Sequence, residues 1–326
     1  MHKKLLSVAL AATMTLTLAA CGTESQDDGQ SAENPDAYVV GICEQMEHVS
    51  LSEATRGFKD ALVEILGEED VTFKEQNANG EQPNCTTITD GFVSDGVDLI
   101  LANATWPLQA AASATSEIPI LGTSVTDYGT ALNIDNFDGT VGSNISGTSD
   151  LVDLEGQAAI VKELFPDAKN VGLLYCSGEP NSVYQIETVR TALEGMGYTC
   201  ETYAFTDVND LASVTQTACD NSDVIYIPTD NTVAANTESV ANVALSAGVP
   251  IVGGDPGICS GCGVATIATD YYELGRITGE MAAKILTGEA DISTMPIEYG
   301  VMEKLYNPAN CETLGVTVPE DYTAVE

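Results

Sequence analysis

Seven short segments, each directly after an apolar run, hold most of the side chains able to do chemistry: residues 43–48, 103–107, 123–128, 176–182, 228–231, 253–257 and 269–272. They supply the acids Glu47, Asp127, Glu179, Asp230, Asp255 and Asp270, the hydroxyls Thr105, Ser124, Thr126, Ser182 and Thr229, and the amides Asn181 and Asn231. None of the segments contains Lys or Arg. A phosphate or a dicarboxylate would lack the charged clamp it normally receives. A cation, a sugar or a zwitterion fits better. An α-amino acid suits the set, with its ammonium on Asp127, Asp230 or Asp255. Its carboxylate would take Ser124, Thr126 or Ser182 and free N–H groups at helix starts. Trp106, the sole tryptophan, and Tyr184 would line a side-chain pocket, with Tyr128 nearby, because aromatic faces suit a ring or a cation. Taken singly, each acid reads more readily as a solvated loop residue or a helix cap; only together do they point to a zwitterion.

Other chemistries find less support. Beyond Cys21 there are eight cysteines: Cys43, Cys85, Cys176, Cys200, Cys219, Cys259, Cys262 and Cys311. An even number fits disulfides, with Cys43–Cys85, Cys200–Cys219, Cys259–Cys262 and Cys176–Cys311 as the pairing to test. The spacing Cys259-Ser-Gly-Cys262 also serves zinc, but no second such pair exists and His48 is the only histidine after His2. No metal and no cofactor is therefore expected. The same pair lies in a Gly-rich stretch rather than at the start of a clear helix, which counts against a redox role. Gly-x-Ser-x-Gly and P-loop signatures are absent, and a lone His48 reads as a cleft-edge or structural histidine. An enzyme is not expected.

The elements that must position these segments alternate between strand and helix. Tyr38–Cys43, Val71–Gln76, Leu99–Ala102 and Ile118–Gly122 read as strands, with helices near Thr86–Ser94 and Leu108–Thr115. Ser50-Leu-Ser-Glu53 has the form of a capping box opening a helix with Leu51, Ala54, Phe58, Leu62 and Ile65 on one face. The series then repeats. Asn170–Tyr175, Thr199–Ala204, Val224–Ile227 and Pro250–Gly253 are strands, and Ser182–Met196, Asp210–Ala218 and Ala234–Ala247 are helices. The two series even rhyme: Val97-Asp-Leu-Ile-Leu-Ala with Ser222-Asp-Val-Ile-Tyr-Ile, and Ile118-Pro-Ile-Leu-Gly with Val249-Pro-Ile-Val-Gly. The fold class is α/β, with two doubly wound lobes. Gly142–Asp150, rich in small residues, reads as a hinge between them. Ligands of such sheets bind outside the carboxyl ends of the strands, so the seven segments would converge on one cleft.

The N-terminus and the charge say where such a cleft would work. His2, Lys3 and Lys4 precede an apolar stretch from Leu5 to Leu18, then Ala19-Ala20-Cys21. This reads as a secretory signal rather than a membrane span. It resembles the bacterial lipoprotein signal, which implies lipidation of Cys21 and attachment to the outer face of the cytoplasmic membrane. Residues 21–37 have almost nothing to bury and read as a flexible tether. Formal charge falls from −38 to −40 once Lys3 and Lys4 are removed with residues 1–20. Nucleic acid is excluded as a partner, and so is direct adhesion to an anionic membrane, leaving the lipid as the only membrane contact.

Glu44-Gln-Met-Glu-His48, Ala104-Thr-Trp-Pro-Leu-Gln109, Thr123-Ser-Val-Thr-Asp127, Asn144-Ile-Ser-Gly-Thr-Ser-Asp150, Ser177-Gly-Glu-Pro-Asn-Ser182, Tyr226-Ile-Pro-Thr-Asp-Asn231 and Asp270-Tyr-Tyr-Glu-Leu-Gly275 occur in this order. Together, over roughly Tyr38 to Pro319, they resemble the substrate-binding lipoproteins of ABC transporters for aromatic amino acids. The resemblance implies the type I periplasmic-binding-protein fold: two Rossmann-like lobes, a three-strand hinge, and an ABC permease as membrane partner. It implies a first lobe of residues 38–145 plus about 268–305 and a second of 146–267 plus about 306–326, in a monomer. A helix Tyr271–Leu286 would return to the first lobe. Three departures stand out: Val49-Ser-Leu-Ser52 where the family usually has Pro-Ala-Leu-Asp, the cysteine-rich loop Gly257–Gly263, and Trp106 where a small residue is usual. A surface sensor for a signalling receptor, or a binder of a sugar or nucleoside, would use the same fold.

Overall fold

The structure, a computed structural model, describes Asn34 and residues 37–325; the N-terminal signal, Cys21 and most of the expected tether lie outside the described residues. The first half builds β1 (Tyr38–Glu44), α1 (Val49–Leu66), β2 (Val71–Asn77), α2 (Gln82–Asp95), β3 (Leu99–Asn103), α3 (Thr105–Ala114), β4 (Ile120–Val125), α4 (Tyr128–Leu132) and β5 (Ile145–Ser149). The second half builds α5 (Leu154–Leu164), β6 (Asn170–Cys176), α6 (Pro180–Gly195), β7 (Thr199–Phe205), α7 (Leu211–Asn221), β8 (Val224–Ile227), α8 (Asn231–Ala234), α9 (Thr237–Ala247), β9 (Ile251–Gly253), α10 (Pro256–Gly261) and β10 (Ala265–Thr269). Then come α11 (Tyr271–Leu286), β11 (Glu298–Tyr299), β12 (Met302–Tyr306), α12 (Pro308–Leu314) and β13 (Thr323–Ala324).

Two sheets result, in the orders β11-β5-β4-β3-β1-β2 and β13-β12-β10-β9-β8-β6-β7. Every pairing is parallel except that of β10 with β12. Central strands such as β3 and β4 are buried throughout, as expected of continuous apolar runs covered on both faces. Phe58, Leu62 and Met281 pack one face of the first sheet, and Phe92, Leu108 and Tyr128 the other. The rhyme between the halves has a physical counterpart. Asp98 accepts a hydrogen bond from the Val39 N–H at 2.7 Å, and Asp223 accepts from the N–H groups of Lys169 and Asn170 at 2.8 Å. Each carboxylate clips the start of its lobe's first strand, β1 or β6.

The chain passes between the sheets three times: between β5 and α5, between β10 and α11, and between β11 and β12. These crossings shift the lobe boundaries expected from the sequence. β5 belongs to the first sheet, paired with β4 and β11, and β12 belongs to the second, paired with β10 and β13. The stretch Gly142–Asp150 is therefore not only a linker. Helix α11 spans the residues expected of it and lies on α1 at backbone contact: a Cβ on Gly275 would sit 2.0 Å from the Ala54 carbonyl oxygen.

Three further expectations are corrected. Helix α1 begins at Val49 with His48 at the N-cap, so Ser50 lies inside the first turn and makes no capping box; its hydroxyl faces Asp255 across the lobes instead. The eight described cysteines are all free thiols, so none of the four proposed disulfides is formed. Seven of the eight are buried, where they pack as small apolar residues. Cys259 sits within α10, not in an irregular loop.

Candidate ligand-binding site

In each sheet the strand order reverses beside its first strand, between β1 and β3 and between β6 and β8. A crevice opens at such a point outside the carboxyl ends of the strands, and the two crevices meet where the lobes touch. The first-lobe wall starts from local backbone strain. Ala104 and Ser124 adopt φ of +90° and +55°, conformations that a side chain disfavours. At Ala104 this turns the chain sharply into α3; Ser124 lies in a register shift between Gly122 and Val125. Behind them, the Trp106 N–H donates to Gln45 Oε1 at 3.2 Å. Ser149 Oγ donates to the Thr126 carbonyl at 2.8 Å, tying β5 to the end of β4.

The second-lobe wall is built from helix starts. Glu179 accepts from the N–H groups of Asn231 and Thr232, from the Thr232 hydroxyl, and from the side-chain amides of Asn231 and Asn181. Asp230 caps α8 through the Val233 N–H and also accepts from the Cys176 N–H and the Ser182 hydroxyl. Asp255 caps α10 through the Ile258 N–H at 2.7 Å. Burial, with the Glu179 charge beside it, pushes the Asp230 carboxyl up to about 8; burial pushes Asp255 up to about 7. Such shifts follow from taking an anion out of water among other anions.

Three contacts join the walls. Gln185 Nε2 donates to Thr126 Oγ1 at 3.4 Å, His48 Nε2 lies 3.1 Å from Asn231 Oδ1, and Ser50 Oγ lies 3.5 Å from Asp255 Oδ1. The lobes are closed on each other. Within the closed cleft several buried polar atoms lack any hydrogen-bond partner: Gln45 Nε2, His48 Nδ1, Ser124 Oγ, Asp150 Oδ1 and Asn181 Oδ1. Buried polar atoms are nearly always paired, so atoms left open here mark where a ligand would bond. The buried polar residues include Glu44, Asp150, Glu179, Asp230 and Asp255 and no Lys or Arg. Among the described residues no cluster of His, Cys, Asp and Glu is placed to hold a metal ion.

Of the residues singled out from sequence, Thr105, Ser124, Thr126, Glu179, Asn181, Ser182, Thr229, Asp230, Asn231 and Asp255 are buried about this cleft. Trp106, Asp127 and Tyr184 are half-buried; Asp127 caps α4 through the Thr130 N–H. Glu47 and Asp270 are exposed, in surface grooves shared with Arg56. Sequence reasoning passed over Gln45, Gln185 and Asp150. Gln45 stands inside one of the seven segments, but its residue type alone does not separate it from the other polar side chains there. Asp150 closed the stretch read as a hinge.

A closed, two-lobed, doubly wound α/β structure with a polar inter-lobe cleft has the architecture of a solute-binding protein. The chain belongs to the family of ABC transporter substrate binding proteins, which it matches over residues 39–325; these are binding proteins of transporters, not enzymes. It is 32% identical over 306 residues to a tyrosine-binding protein of Clostridioides difficile (strain R20291), covering 90% of this chain and 87% of that one. Among solved structures it is similar to a Streptococcus pneumoniae ABC domain in complex with L-Trp (29% identity, TM-score 0.84, covering 89% of this chain and 100% of that one). It is also similar to the ligand-free, open structure of a Clostridium difficile substrate binding protein with adhesive properties (31% identity, TM-score 0.68, covering 89% and 99%). At almost equal identity the overlap is better with the ligand-bound structure, in keeping with the closed lobes here.

Proposed function

We propose that the protein is a lipid-anchored receptor on the outer face of the cytoplasmic membrane. It captures an aromatic amino acid between its lobes as a monomer and delivers it to an ABC permease. The observation that carries the ligand class is the charge of the cleft: its buried ionisable groups are carboxylates unaccompanied by Lys or Arg. A ligand with a positive charge is favoured there, because it compensates carboxyl groups held away from water with no Lys or Arg among them. A free amino acid brings an ammonium, and it brings a carboxylate for the open donor atoms Gln45 Nε2 and Ser124 Oγ. Relatives that bind tyrosine and L-Trp support an aromatic side chain. Trp106 and Tyr184, half-buried on either wall, suit one. The apolar stretch before Ala19-Ala20-Cys21 supports export and anchoring.

Binding of this kind favours closure, since only the closed form touches the ligand from both walls. The test is a thermal-shift screen of the amino acids against protein unfolded and refolded to strip carried-over ligand. A micromolar ligand at millimolar concentration adds about 4 kcal/mol to stability. A shift confined to Trp, Tyr or Phe is the expected result. No shift with any amino acid would reject the proposal and turn attention to sugars and nucleosides.

A further inference from the structure

Asp150 differs from Glu179, Asp230 and Asp255. It follows β5 directly, at the first crossing between the lobes, and is 4% exposed. It caps no helix; α5 is capped by Asp153. Its Oδ2 accepts from the Tyr271 hydroxyl at 2.7 Å, and its Oδ1 has no partner. Burial raises the proton affinity of this carboxyl above the ordinary carboxylate range, offset in part by the hydroxyls of Tyr271 and Thr126 and by the Asp150 N–H close to it. Tyr271 opens α11 at the second crossing. One hydrogen bond therefore joins two of the three crossing segments, and it leaves one carboxylate oxygen open within the cleft.

Resting on the amino-acid reading above, we infer that Asp150 Oδ1 receives the ammonium of the ligand, so that the positive charge is held by the hinge rather than by either lobe. The neighbouring acids do not compete for this role. Glu179 and Asp230 have both oxygens committed to helix starts and hydroxyls, Glu44 accepts from the Thr55 hydroxyl and the Asn77 amide, and Asp255 caps α10 and faces Ser50 through its Oδ1. The open donors, Gln45 Nε2 and Ser124 Oγ, belong to the first lobe and would receive the carboxylate. The amino acid thus lies with its ammonium toward the crossing strands and its carboxylate toward the first-lobe wall. Charge on the ligand completes the Asp150–Tyr271 pair exactly where the lobes pivot, and discrimination for an α-amino group follows from one side chain.

The test compares tyrosine and tryptophan with their desamino analogues, 3-(4-hydroxyphenyl)propanoate and indole-3-propanoate, by calorimetry on the full chain and its variants. The wild type should prefer the amino acids by at least about tenfold, the size of one charge-assisted hydrogen bond. Asp150→Asn should lose that preference while binding the analogues within about threefold of wild type. Glu47→Gln, at an exposed acid outside the cleft, should keep it. Asp150→Glu, which retains the charge should the amide variant not fold, must still prefer the amino acids, at lower affinity. An Asp150→Asn variant that keeps the wild-type preference would overturn the assignment and leave the amino-acid reading standing. A wild type that binds neither amino acid nor analogue would overturn both.

Discussion

On the second-lobe wall of the cleft, Glu179 and Asp230 have both oxygens bonded to helix N–H groups, hydroxyls or amides, and Asp255 has its Oδ1 bonded to the Ile258 N–H and facing the Ser50 hydroxyl. On the first-lobe wall and the hinge, Gln45, Ser124 and Asp150 each keep a buried polar atom open. Both sets are polar, buried and placed after strands, so position alone does not separate them. What separates them is whether the fold already supplies the partner. A satisfied carboxylate holds the wall together; an unsatisfied one waits for the ligand, because an unpaired buried group is expensive until something bonds it. Asn181 shows both behaviours in one amide. Its NH₂ bonds Glu179 and the Thr229 carbonyl, and its oxygen is open.

The contrast is most severely tested at Asp230. Replacing it with Ala strands the Cys176 and Val233 N–H groups and the Ser182 hydroxyl. Stability should fall by on the order of 3 kcal/mol in denaturant unfolding. Preference for amino acid over analogue should survive. The same residue gives a pH signature. Its folded value of about 8 lies above the ordinary 3.8, so the native state holds more protons than the unfolded chain across that window. Stability is then greatest on the acid side and declines as pH rises through 8; the Asp255 carboxyl, at about 7, adds to the decline. Melting temperatures between pH 6 and 8.5 should show this fall, and Asp230→Asn should flatten it.

Ser124→Gly should behave in the opposite way. Glycine adopts the +55° φ freely, relieving about 1 kcal/mol of strain, and no hydrogen bond of the unliganded protein is lost. The melting temperature should hold or rise while ligand affinity falls several-fold. A drop in both would place Ser124 among the structural groups and blur the distinction. The smallest effect is expected at the rim. His48→Ala removes one contact between the lobes and should weaken ligand binding by about three- to fivefold, with the melting temperature of the free protein nearly unchanged.

Much of the framework was legible in the sequence, because buried parallel strands are continuous apolar runs and the helices keep their period. β5 was not. Ile145-Ser-Gly-Thr-Ser149 carries a single apolar residue and is a strand only because β4 and β11 flank it with partners. The capping box at Ser50 failed because α1 starts at Val49, which puts Ser50 inside the first turn, where its hydroxyl faces Asp255. The cysteines misled through their even number, which says nothing of where each sulfur lies. Around the cleft, residue types narrowed the ligand to a cation, sugar or zwitterion. They could not tell Asp150 from Asp230, since being left without a partner is a property of the assembled walls.

The glycine-lined contact between α1 and α11 has a consequence for the order of assembly. The strands of the first sheet from β1 to β5 leave the ribosome before residue 150, yet one of its faces is covered by Met281, Ala282 and Ala283 of α11. The stretch from α5 to β10, by contrast, is contiguous and can collapse on itself as it emerges. The half of the molecule made first is therefore sealed late: its core stays open until the chain has passed residue 286, and the second lobe waits in turn for Cys311 and Tyr322.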